Sequence, residues 1–181
     1  GGAVGVVNAG VFRKTAGGGT ATMDVPFRTS GAVEILSGTL RFQRAFTQTG
    51  GRTILRGGSI SSAVPLALLG GVLEGKGRVL GGVRSAGWVS PGASPGELVI
   101  EGPYTQDEVG SLEIELAGLT PGVSFDRLVV RDQAALSGTL QVVLGAAFQP
   151  PARSTFEILT ATGCSGQFSR FAYPSNEVGL A

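Results

Sequence analysis

Apolar and polar positions alternate along most of this chain in short bursts. Val33 and Ile35, then Leu40 and Phe42, are separated by polar or small residues, a period of two that predicts strands of about four residues. The bursts recur. Segments beginning at Gly31, Gly51 and Gly71 align at a spacing of 20 residues and place Leu40, Ile60 and Leu80 in one column. Gly38 and Gly58 form another column, which Arg78 breaks, and Ser137–Val142 echoes Ser37–Phe42. No window sustains apolar residues at i, i+3 and i+4, and Gly or Pro interrupts every stretch, so helix is expected to be nearly absent.

A four-residue strand cannot bury its apolar face alone. Stacking similar units ~4.8 Å apart solves this, because each inward side chain then lies on its equivalent in the next unit. The predicted fold is therefore all-β: a right-handed parallel β-helix (β-solenoid) with coils of about 20 residues, roughly nine of them, in a rod on the order of 40 Å long. Glycines are expected at the corners, where positive φ or close approach of neighbouring coils excludes a Cβ. Residues 1–181 read as a single unit, with regular coils over 1–102 and either less regular coils or a sandwich-like cap over 103–181. In that second part, 103–118 reads as a turn and an alternating strand, and Phe125–Val130, Gly138–Leu144 and Thr155–Leu159 as further strands.

Composition sharpens this picture. Thirty-one glycines, with charged residues at only 15% against a usual level of about 25%, suit many short strands joined by tight turns. The net charge of +1 gives no strong pull toward nucleic acid. Its distribution is uneven: ten Lys/Arg against three Asp/Glu in residues 1–90 (+7), and four against ten in 91–181 (−6). In a linear stack this would set opposite charges at opposite ends and favour head-to-tail self-association into filaments. The single cysteine, Cys164, allows no internal disulfide and is expected as a small core residue. No apolar run reaches the ~18 residues of a membrane span. The opening Gly1-Gly2-Ala3-Val4 reads as if cut from a longer precursor.

Candidate chemistry is sparse. Without histidine there is no Ser-His-Asp or Cys-His arrangement, and most zinc sites are excluded. Gly17-Gly18-Gly19 precedes Thr20 without the lysine of a phosphate loop and reads as a turn. Glu113 and Glu115 lie two apart on one strand face, opposite Leu112, Ile114 and Leu116; they could bind Ca²⁺ or a sugar, though a solvated face is the expectation. Asp126 is expected to cap a turn through its side-chain oxygens. Asp24, Asp107, Glu108 and Asp132 show no calcium-loop spacing. Thr20, Thr22, Thr39 and Thr53 do not share a column of the 20-residue register, which argues against a flat ice-binding face. Trp88, Tyr104 and Tyr173 could stack sugars, with corner packing the expected role for Trp88. No catalytic, cofactor-binding or metal-binding residue is assigned.

The run Ser90-Pro-Gly-Ala-Ser-Pro-Gly-Glu-Leu-Val-Ile-Glu-Gly-Pro-Tyr-Thr-Gln106 resembles a signature of bacterial autotransporter passengers and related surface β-helix proteins. Gly110–Gly118, Pro121–Val130, Ala135–Val142, Thr155–Ala161 and Gly163–Phe168 continue the likeness; upstream, Asn8–Lys14 and Pro26–Gly31 do so with Arg28-Thr29 in place of an asparagine-bearing form. The resemblance spans roughly residues 8–180. It implies a right-handed parallel β-helix at the bacterial surface or outside the cell, serving adhesion, aggregation or matrix as a non-catalytic scaffold. The second functional class is a carbohydrate-binding or carbohydrate-cleaving β-helix, for which a groove holding two or more carboxylates with Arg or Tyr nearby would be the mark. Expected partners are further copies of the chain and surface glycans, with no cofactor.

Overall fold

The computed structural model describes residues 5–93 and 95–173; Ser94 of the Ser-Pro-Gly run and the tail 174–181 lie outside the described residues. The fold is all-β and, among the described residues, contains no helix. Its strands fall into one curled sheet. The first rung comprises β1 (Val6–Asn8), β2 (Val11–Lys14) and β3 (Thr20–Met23), and the second β4 (Phe27–Thr29), β5 (Ala32–Ile35) and β6 (Thr39–Phe42). Two long, bent strands, β7 (Phe46–Ser62) and β8 (Leu66–Leu80), are each a whole rung run together. Then come β9 (Val83–Ser85), β10 (Trp88–Pro91) and β11 (Glu97–Ile100); β12 (Tyr104–Gln106), β13 (Ser111–Leu116) and β14 (Arg127–Val130); β15 (Gln133–Leu136), β16 (Thr139–Leu144) and β17 (Leu159–Thr160); and finally β18 (Gly163–Gly166) and β19 (Arg170–Ala172).

All strand-to-strand ladders among the described residues are parallel; two isolated bridges, Gly75 with Gly92 and Leu116 with Phe125, are antiparallel. The ladders form three stacks. The middle one runs β2, β5, the centre of β7, the centre of β8, β10, β13, β16 and β19. In the first four rungs a residue pairs with another about 20 further on, as in Ala32 with Arg52 and Thr39 with Ser59. Later the offset grows: Glu97 pairs with Arg127 and Gln133 with Gly163. The ladder direction does not change; the added residues enter the corner loops 92–96, 117–126 and 145–158.

Inward positions repeat from rung to rung and are sealed. Val33, Ile35, Leu40, Phe42, Leu55, Ile60, Leu73, Leu98, Leu112 and Ile114 are all at most 1% exposed. Rings pack in the early rungs, where Phe27 lies 5.0 Å from Phe42 and 5.8 Å, stacked, from Phe46. Glycine marks the first corner for the expected reason. Gly51 has φ of 64° and Gly71 of 74°, and a Cβ on Gly51 would overlap the carbonyl oxygen of Gly31, as one on Gly71 would overlap that of Gly51.

Several expectations are corrected in detail. Ile60 pairs with Val79, not Leu80, because the register shifts by one between Arg56 and Ser59; Val79 is sealed and Leu80 is 37% exposed. Cys164 is exposed, although it pairs with the inward Ala134, because no further strand lies over it among the described residues. Thr20 and Thr39 do share a column, whereas Thr53 is buried. The strand expected over Thr155–Leu159 is mostly loop, with only Leu159–Thr160 extended and paired.

Candidate functional site

The outward face of the middle stack carries open grooves that gather several charged groups on neighbouring rungs. Strand alternation decides which side chains stand there. On β10, Val89 and Pro91 point in, and Trp88 and Ser90 point out; on β13, Leu112 and Ile114 point in, and Glu113 and Glu115 point out. Register brings Arg52, Val72, Trp88 and Ser111 into one column, and Ile54, Glu74, Ser90 and Glu113 into the next. Two adjoining hollows of about 270 and 340 Å³ share Glu74, Ser90 and Glu113. The smaller includes Trp88 and Arg52; the larger runs on past Arg56 to Glu115 and Asp126.

The corner loops make the wall. β7 and β8 pass this corner without a break in the strand, whereas Pro91 and Glu97 are separated by five residues and Leu116 and Arg127 by ten. Asp126 ties them together. One carboxylate oxygen accepts the Gly96 amide at 2.8 Å and the other the Glu115 amide at 2.9 Å, so the residue expected to cap a turn holds two segments at once. At 4% exposure, burial pushes its pKa up to about 6. The two amide bonds pull the other way, and the nearby Glu115 and Glu113 charges add to the rise.

The remaining groups are positioned by partners. One Arg52 guanidinium nitrogen donates to both oxygens of Glu74 at 3.0 Å, and the Ser90 hydroxyl donates to Glu113 at 3.1 Å. Fixed carboxylates of this kind accept hydroxyl donors without first losing side-chain freedom. Asp126 accepts a backbone amide on each oxygen and so joins Gly96 to Glu115 at the end of the groove.

Glu113 and Glu115 thus lie on the groove, joined there by Asp126. Asp24 instead faces Arg44 at 3.5 Å, Asp107 faces Arg84 at 3.2 Å, and Asp132 caps the Gln133 amide at 2.8 Å; Glu108 is exposed at the first corner. Among the described residues no three His, Cys, Asp or Glu side chains converge as metal ligands. Tyr104, a candidate for sugar stacking, is sealed in the core with its hydroxyl donating to Gln106 at 2.8 Å, and burial holds its pKa far above the ordinary value. Tyr173 is exposed on the final rung, remote in sequence from the groove strands. Trp88, expected to pack a corner, stands on a strand and is 40% exposed.

Arg52, Glu74 and Ser90 were not singled out from the sequence. The 20-residue alignment already places Glu34, Ile54 and Glu74 in one column, but Ser90 follows Glu74 by 16 residues and Glu113 follows Ser90 by 23. Once the spacing becomes irregular, no periodic signal joins them. No known protein family, no curated protein and no solved structure matches this chain.

Proposed function

We propose that the chain is a right-handed β-solenoid serving as a structural and adhesive scaffold outside the cell, without catalysis. One observation carries this reading. Outward columns run unbroken from rung to rung; Arg28, Thr47, Ala67, Arg84, Thr105, Ala135 and Ser165 are successive partners on the first stack. A stack of that kind presents regularly spaced side chains on stiff, fully paired backbone, which suits extended contact. The right hand follows from the strong preference of connections between parallel strands in one sheet. The sequence likeness to surface β-helix proteins favours the exterior.

Labelling of intact source cells tests the location and role together. Antibody raised against this chain should stain unpermeabilised cells, and beads coated with the chain should adhere to surfaces that albumin-coated beads do not hold. Staining only after permeabilisation contradicts the reading. A second reading, carbohydrate recognition, is favoured by the carboxylate-lined groove with Arg52 and Arg56 beside it.

A further inference from the structure

We infer that the groove between Trp88 and Glu113 is a subsite for a neutral pyranose oligosaccharide, which gives the adhesive scaffold a ligand class. The inference rests on that reading only for its biological setting, since cell-surface labelling and sugar binding succeed or fail separately.

Three features of the groove point to a sugar. The Trp88 indole, 40% exposed, stands on a strand between Val72 and the small Ser111 in its column, so a flat apolar surface is offered beside polar groups. The C–H face of a pyranose stacks on such a surface while its hydroxyls stay at the rim. Next to it, Glu74 and Glu113 are each oriented by a neighbour, Arg52 and Ser90 respectively. Carboxylates accept from several hydroxyl groups at once, and orientation beforehand lowers the entropy lost on binding. Glu74 and Glu113 stand two rungs apart, about 9.6 Å at the spacing of paired strands, which suits adjoining rings of a chain better than one monosaccharide.

Charge selects the sugar class. Glu74, Glu113 and Asp126 outnumber Arg52 and Arg56 along the groove, and Arg52 is already engaged by Glu74. A uronate or sulfated chain would meet net repulsion, whereas a neutral chain meets acceptors for its hydroxyls.

Because Trp88 is the only tryptophan, its emission reports the site directly. The chain should be titrated with cellotetraose, mannotetraose and β-1,4-galactotetraose, and in parallel with tetragalacturonate and choline. At least one neutral tetrasaccharide should give a saturable change in emission below about 10 mM, with tetragalacturonate weaker by roughly tenfold or more. Calorimetry on Trp88→Ala and on Glu113→Gln, each checked for native β-sheet by circular dichroism, should show roughly tenfold or greater loss of affinity, equivalent to about 1.4 kcal/mol. The inference is overturned if no neutral tetrasaccharide changes the emission, if tetragalacturonate or choline alone saturates it, or if both folded variants bind as the parent does.

Discussion

At the first corner, Gln106 is almost wholly buried and its amide nitrogen faces the carbonyl oxygens of Gly110, Ser137 and Thr139 at 3.2, 2.7 and 3.1 Å. Gln48 does the same for Gly51, Gly70 and Val72, and Asn8 donates to Thr29 and to the Ala32 carbonyl. These buried and half-buried polar side chains bond to corner carbonyls, and they do so across rungs. Gln106→Leu keeps the bulk but removes these bonds and the acceptor of the buried Tyr104 hydroxyl, so urea unfolding should show a loss of about 1–3 kcal/mol. Gly51→Ala should also destabilise, since its φ of 64° and the Gly31 carbonyl both oppose a Cβ. Asp126 gives a pH signature. Its pKa is raised in the folded chain, to about 6 from 3.8, so the stability it contributes is full below about pH 4 and is lost as pH rises through about 6. The difference in unfolding free energy between the parent and Asp126→Asn should therefore move against the parent across that window and level off above it. A flat difference would show that the carboxyl titrates normally.

At the scale of elements, legibility followed repetition. Strand alternation fixed the inward faces of β5, β6 and β13 because Val33, Ile35, Leu40, Phe42, Leu112 and Ile114 follow a strict period of two. The corner column Gly31, Gly51 and Gly71 was readable because steric exclusion of Cβ leaves one residue type. Legibility ended where the spacing changed: a one-residue shift exchanged Leu80 for Val79, and a step shortened to 16 residues followed by one lengthened to 23 hid the meeting of Glu74, Ser90 and Glu113. Trp88 was misplaced for the same reason, since a neighbouring Ser-Pro-Gly turn suggested a corner that starts only after Pro91. The long strands β7 and β8, paired on both sides over most of their length, should hold their amide protons longest in hydrogen exchange, while the amide of the exposed Leu119 should exchange among the first. Equal protection throughout would contradict a stack with a sealed centre and exposed corners.

For the molecule as a whole, the uneven charge has a partly local origin. Arg13, Arg52, Arg78, Arg84 and Arg127 each pair with an acid one rung later: Glu34, Glu74, Glu101, Asp107 and Glu157. The Arg78 and Arg84 pairs straddle residue 90, which shifts two bases into the first part of the chain and their acids into the second. Exposed pairs of this sort add little each, about 0–1 kcal/mol, but they reward one register between rungs over its neighbours. The proposed solenoid makes a simple demand of distance: residues in one column must separate by the same small step at every rung. Spin labels report this in solution. In a Cys164→Ser background, a label at position 28 paired with one at 105, 135 or 165 spans four, five or six rungs of the first stack. Pulsed electron-electron resonance should give distances rising in near-equal steps, about 19, 24 and 29 Å before allowance for the label arms. Distances that fail to increase in that order, or that collapse to one value, would contradict the stacked architecture on which the scaffold and the groove both depend.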